Sequence, residues 1–275
     1  DHLLSIAGGY PHIMLNISNE SRAHLGWSRF WAEYVRERLP AGFMIGEMPS
    51  TNRQDGGGEC DPEFNPLRLC TDPLYDFVDV AQGVSRHEFG KPYQQAIGGG
   101  QRIYSYRQAM AEAGTLRPLI VSKDYSRDAQ GGDLVLWSRF LSGAASARFH
   151  RPAGDNPPSV IGFQHEAIGR LGRFIAGVPF WNMHPNPGIV LKLPESAGAN
   201  VLAADAVCAV QLVGVSKGGS LHLNLSPGTW SVRWIDPSTG VDTNPMETFV
   251  SGTSLKLNFP AGPGHRVVLL KKKMN

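Results

Sequence analysis

The sequence predicts an α/β plus all-β protein: a run of parallel βα units, then a C-terminal antiparallel β-sandwich. Three observations predict it. Over residues 12–176, short apolar runs alternate with longer runs of helical periodicity. Beyond residue 187 only short strand-like runs remain, separated by turn signals. Between the two lies the Pro-rich stretch Trp181-Asn182-Met183-His184-Pro185-Asn186-Pro187, a linker candidate. The chain therefore divides into units at residues 1–185 and 186–275.

The first strand is placed at residues 12–17, a short, nearly continuous apolar run that suits a strand buried on both faces. A helix over 21–39 follows, with Leu25, Trp27, Phe30, Trp31, Tyr34, Val35 and Leu39 as its apolar stripe, stopped by Pro40 and Gly42. Strands are expected at 42–48, 75–82, 117–122 and 145–150, and helices near 105–113, 132–142 and 166–176. The stretch 49–73 reads as a long loop, a length usually associated with function or mobility. That makes about five parallel units with right-handed crossovers. A closed barrel of this kind has eight strands and typically ~250 residues, more than residues 1–180 provide. In the second unit, strands are expected at 189–193, 206–213, 220–225, 229–235, 254–259 and 265–270. Alternation such as Leu221, Leu223, Leu225 and Leu255, Leu257, Phe259 supports them.

Composition narrows the function classes. The 275 residues are 41% apolar and 18% charged with a formal net charge of +2, so no charge excess points to a partner. No basic stripe with interleaved aromatics is present, which argues against nucleic acid. No apolar stretch reaches the ~20 residues of a membrane span. The N-terminal Asp1-His2-Leu3-Leu4 is neither a signal peptide nor an initiator Met, so either a leader was removed or the chain is a fragment. Cys60 and Cys70 share one loop and could form a local disulfide, which would imply an oxidising, secreted or periplasmic setting. Cys208 lies in an apolar run and is expected as a buried thiol. No second Cys or His pair accompanies the first, so neither metal nor cofactor is expected. Residues 51–58 (TNRQDGGG) lack the Gly-Lys-Ser/Thr of a phosphate loop, and no Gly-x-Ser-x-Gly elbow appears.

The most chemical motif is Ile17-Ser18-Asn19-Glu20, at the C-terminal end of the first strand, the end at which parallel barrels carry their active sites. With it, the chain resembles the clan A glycoside hydrolases, whose fourth barrel strand ends in Asn-Glu. GFMIGEM, YDFVDVAQ, PLIVSKD and SARFH then become strands five to eight, and Asp124 stands at the nucleophile position. The segment Trp230-Ser231-Val232-Arg233-Trp234-Ile235-Asp236-Pro237-Ser238-Thr239-Gly240 resembles the putative collagen-binding domain that follows the barrel in apiosidase-like hydrolases. The resemblance implies a partial (β/α) TIM-type barrel, about strands 4–8, with strands one to three absent. It departs from the family in carrying Asp rather than Glu at position 124.

The resemblance implies a glycoside hydrolase using paired carboxyls, ~5–5.5 Å apart for retention or ~6.5–9.5 Å for inversion. Glu20 is the candidate acid/base, Asp124 the candidate nucleophile and Glu47 the reserve carboxylate. Glu20 could instead open the following helix, and Asp124 could pair with Lys123, Arg127 or Arg148. Asn19 is expected to hydrogen-bond a sugar hydroxyl or a catalytic carboxylate. Gln82, His87 and His150 sit near predicted strand ends and could line the pocket, or be structural. Trp181 could stack on sugar or pack at the junction between units. The alternative function is a non-catalytic carbohydrate- or protein-binding remnant. An open five-strand sheet leaves two unpaired edges, so a homo-oligomer covering them is expected.

Overall fold

A computed structural model describes residues 1–10, 12–21, 24–50, 63, 65–85, 92–124, 129–149, 161–215, 219–260 and 264–273. α1 (His2–Ala7) precedes β1 (Met14–Ser21). There follow α2 (Leu25–Arg36), β2 (Met44–Pro49), α3 (Pro66–Thr71), β3 (Phe77–Asp79), α4 (Ala81–Ser85), α5 (Pro92–Glu112), β4 (Leu119–Asp124), α6 (Ala129–Leu141), β5 (Ser146–Phe149) and α7 (Ile161–Ala176). The five strands form one parallel sheet in the order β1-β2-β3-β4-β5. Each strand lies beside its predecessor, with at least one helix in every crossover.

The helix side of this sheet forms the first core. Ile45, Val78, Leu119 and Val121 pack with Ala32 and Val35 of α2, Leu69 of α3, and Ile103 and Met110 of α5. Burying a side chain of this size stabilises by ~1.5–3 kcal/mol. The expected apolar stripe of α2 is divided. Small Ser28 and Ala32 with Val35 face inward, while Trp27, Phe30 and Trp31 remain 44%, 57% and 38% exposed. Those three and Tyr34 form a chain of ring contacts on the outside, with Phe30–Trp31 centroids at 5.3 Å and Trp31–Tyr34 at 5.4 Å. α2 thus carries apolar surface on two sides, which a single-stripe reading assigns to one.

The second unit contributes β6 (His184–Pro185), β7 (Val190–Lys192), β8 (Gly198–Ala204), β9 (Val207–Val213), β10 (Ser220–Asn224), β11 (Gly228–Ile235), β12 (Met246–Val250), β13 (Ser254–Asn258) and β14 (His265–Lys272). They make a three-stranded sheet, β13-β10-β7, and a six-stranded sheet, β12-β11-β14-β9-β8-β6. Both are antiparallel and share one core. Leu221, Leu223, Leu255 and Leu257 of the smaller sheet meet Val210, Leu212, Trp230, Val232, Val268 and Leu270 of the larger.

The larger sheet also buries its other face. Leu202, Ala209, Val267 and Leu269 pack on Leu136, Trp137 and Phe140 of α6 and on Leu171 and Phe174 of α7. This double burial explains why β9 (VCAVQLV) is buried at every position rather than alternating. It also makes the contact between the two units a core of its own. Within that contact runs a buried polar network. Asn200 donates to Ser138 (3.1 Å) and to Gln211 Oε1 (2.8 Å), Ser142 donates to Asn200 (3.0 Å), and Gln211 donates to the Leu134 carbonyl (2.8 Å). The segment expected as a linker is built in: Met183 is buried, and β6 pairs with β8.

Candidate active site

The first candidate residues lie at the C-terminal ends of β1 and β4 and just after β3. β1 and β2 pair Asn16 with Gly46, Asn19 with Met48 and Ser21 with Pro49, so β1 carries one extra residue on each side of Asn19. Such bulges re-aim side chains at strand ends. Glu20 sits in the second of these intervals with φ of 56°, the one non-Gly residue with positive φ among the described residues. A long side chain is held there in a conformation that favours glycine.

The Glu20 carboxylate accepts from Gln82 Nε2 at 2.7 Å and from Lys123 Nζ at 2.7 Å, and Lys123 also donates to Asn19 Oδ1 at 2.5 Å. Three elements, β1, α4 and β4, thus converge on one carboxylate. Glu20 keeps 26% of its side-chain exposure and Lys123 13%, so the cluster opens to solvent. The structure brings together three of the expected residues: Asn19, Glu20 and Gln82. It adds Lys123, which the sequence reading offered only as a possible ion-pair partner of Asp124.

Asp124 has a different setting. It is fully buried and faces Arg139 of α6, which donates Nε to Oδ2 at 3.1 Å and Nη2 to Oδ1 at 3.1 Å. Arg139 also donates to the Val84 carbonyl of α4 at 3.3 Å and lies over Gly99 of α5. Arg139, which pairs with Asp124, belongs to the helix layer, whereas Lys123 and Gln82, which pair with Glu20, lie at the end of β4 and in α4 just after β3. Of the partners considered for Asp124, Lys123 turns to Glu20, Arg148 donates to the Ser122 carbonyl at 2.7 Å, and Arg127 lies outside the described residues.

Glu47 is fully buried at the end of β2. Ser28 of α2 donates to it at 2.6 Å, the Met48 N–H at 2.9 Å, and the Ser18 hydroxyl also donates. Tyr75 hydrogen-bonds Ser28 from behind at 2.6 Å. Burial raises Glu47 above the ordinary carboxylate value, against the lowering effect of those donors. Burial likewise pushes the Tyr75 hydroxyl up to about 12. Glu47 ties β1, β2 and α2 together and is closed to solvent. Asp79, at the end of β3, does similar work: it accepts from Ala81 N at 3.1 Å and Ser122 N at 3.3 Å, and burial raises it too.

The remaining candidates fall elsewhere. His87, His150, Arg127, Cys60 and residues 51–58 lie outside the described residues. Trp181 is 69% exposed but lines a cavity with Pro118 and Ala145, the residues directly before β4 and β5. It therefore stands at the opposite end of the strands from Glu20. Cys70 and Cys208 are free buried thiols, each pushed up to about 12 by burial, and Cys60, the other half of the disulfide considered for Cys70, lies outside the described residues. Among the described residues no group of three or more His, Cys, Asp or Glu could hold a metal ion, and no helix is long and apolar enough to cross a membrane.

No family model matches the sequence, and no curated protein matches it. Solved structures do. One described as a glycoside hydrolase superposes with a TM-score of 0.69 at 11% identity, covering 98% of this chain and 67% of its own. A family 5 glycoside hydrolase from Bacteroides vulgatus gives 0.67 at 12% identity, covering 98% and 64%. The chain thus spans about two-thirds of the length of each. At such identities the likeness is one of fold: a parallel sheet with helices, joined to antiparallel sheets, as in glycoside hydrolases.

Proposed function

We propose that this chain is the carbohydrate-active part of a glycoside-hydrolase-type protein, with Glu20 as its acid/base carboxyl. In this reading the five-strand sheet corresponds to strands four to eight of a (β/α) barrel at residues 1–185. The two antiparallel sheets form a β-sandwich at 186–275. The observation that carries the proposal is the setting of Glu20. It stands at the strand ends where parallel barrels place their chemistry, on bulged and left-handed backbone, reached by Asn19, Gln82 and Lys123. Asn19 and Gln82 are suited to hydrogen-bond sugar hydroxyls beside it.

The second carboxyl of the mechanism is Asp124. Its pair with Arg139 must open, or part, before the carboxylate can attack a sugar. That same pair favours a second reading, in which the chain binds carbohydrate without cleaving it. Covering of the open β1 edge by a second copy of the chain belongs to the proposal.

The experiment is hydrolysis of a panel of aryl glycosides and polysaccharides by the chain and by Glu20→Gln. Removing an acid/base carboxyl should lower turnover ~10²–10⁴-fold. Equal activity in both proteins refutes the role of Glu20. Binding of polysaccharide with no turnover in either supports the second reading.

A further inference from the structure

We propose a second ligand site at the other end of the strands, one that takes a carboxylate-bearing sugar: the ring of a uronic acid on Trp181 and its carboxylate on Arg107. The inference goes beyond the glycoside-hydrolase reading and uses none of the residues around Glu20; Trp181, first considered as a sugar platform of that reading, stands at the other end of the strands.

The site is the cavity of ≈ 330 Å³ beneath β4 and β5, walled by α5 and by β6 and β8 of the larger antiparallel sheet. Its volume lies at the small end of ligand pockets, which run ~300–1,000 Å³, and suits one or two sugar rings rather than a long chain. Its charge is one-sided. Arg107, Arg117 and His184 line it, and no Asp or Glu does. Arg107 makes no hydrogen bond or ion pair among the described residues, and its Nε is buried without a partner. Arg117 is held rigid by backbone carbonyls, donating to Thr115 at 3.1 Å and to Asp72 and Tyr75, with no carboxylate in ion-pair range among the described residues. A buried, unpartnered guanidinium N–H is costly, the more so where the group is charged. An incoming carboxylate offsets that cost by accepting a charge-assisted, fork-shaped pair of bonds.

The second half of the recognition is apolar. Trp181 is 69% exposed and braced edge-on by Phe180 at 5.4 Å, which itself packs on buried Phe140 at 5.6 Å. A large ring face held rigid beside an unpaired cation matches a ligand with an apolar sugar face and one anionic arm. A bare inorganic anion uses the cations and leaves the indole unused. A neutral sugar uses the indole and leaves Arg107 unpartnered.

The test is isothermal titration calorimetry of the full 275-residue chain with glucuronate, galacturonate, glucose and inorganic phosphate. The expected result is uronate binding at least about tenfold tighter than glucose or phosphate. Arg107→Gln should abolish the preference over glucose, and Trp181→Ala should weaken uronate about tenfold or more. Glu20→Gln should leave uronate binding unchanged, which separates this site from the other. Because Arg107 is partly buried, its variant is compared at matched thermal stability, and Trp181→Ala, at an exposed position, stands as the independent variant. Absence of uronate binding overturns the proposal. So does glucose binding as tightly as glucuronate, or phosphate binding equally well with no effect of Trp181→Ala.

Discussion

The Asp124 carboxylate and the Arg139 guanidinium face each other in a two-bond, fully buried pair between β4 and α6. Removing one member of such a pair leaves the other charged and without its counter-ion inside the protein, at a cost of ~3–5 kcal/mol. Asp124→Asn should therefore lower unfolding free energy by about that much in a urea titration. The double variant Asp124→Leu, Arg139→Met should recover most of the loss, since neither charge of the pair then remains buried. A single variant that costs under ~1 kcal/mol would contradict the pairing.

Glu47 gives a prediction in pH. Its folded value lies above the ordinary 4.5 because of burial, so the folded state holds the proton more tightly than the unfolded chain. Its contribution is therefore full below pH 4.5 and is lost as pH rises through the raised value. Glu47→Gln has no such loss. The melting temperature of Glu47→Gln relative to the parent should rise between pH 4 and pH 7; a difference that is flat or falls refutes the assignment.

His265 runs the other way. Burial lowers it from 6.5 to about 3, with Arg266 lowering it further and Asp236 opposing both. Its ring Nε2 lies 2.9 Å from Gln211 Nε2. Gln211 is oriented by donating to Leu134 and accepting from Asn200, so that amide nitrogen donates and the ring nitrogen accepts. Protonating His265 would set two donors against each other. Stability from this group is complete above pH 6.5 and falls as pH drops toward 3. His265→Gln should flatten that acid limb relative to the parent. Parallel acid limbs in the two proteins would count against it.

The uncovered side of the sheet predicts association. Among the described residues β1 pairs only with β2, and beside it lie the exposed rings of α2 together with Leu3, Ile6, Tyr10 and Met14, each at least half exposed. An unpaired strand edge beside apolar surface is a template for a second chain. Light scattering should give a mass of at least twice 29.9 kDa. A single species at 29.9 kDa rules the second copy out.

β2 was readable because burial on both faces leaves a plain apolar run, Phe43-Met44-Ile45, whereas β1, read the same way, has no fully buried residue among those described. The first half of α5 was not readable. Gly98-Gly99-Gly100 carries a turn composition, yet lies inside a 21-residue helix. A Cβ at Gly99 would stand 1.8 Å from Arg139 Nη1, and one at Gly100 would stand 2.2 Å from Asn200 Oδ1. These glycines record a close approach by other elements, which no local pattern reveals. β8 and β12 were missed for related reasons: one is built of small residues, the other is an exposed edge. At the site, Asn19 and Glu20 were legible as polar residues ending an apolar run. Lys123 was not, because which of two neighbouring polar residues turns toward β1 is decided by the fold around β4. Trp181 was legible as an aromatic near the junction, but its end of the sheet was not.

The left-handed backbone at Glu20 also bears on how this position tolerates change. Glycine, asparagine and aspartate adopt such a φ at least cost, and β-branched residues at the highest. Random substitution at position 20 is therefore filtered twice, by the backbone and by the ring of donors from Gln82 and Lys123. A library randomised at that codon and sorted for folding alone should enrich glycine, asparagine and aspartate. One sorted for activity should return glutamate, and the gap between the two outcomes measures what the carboxylate contributes apart from the fold.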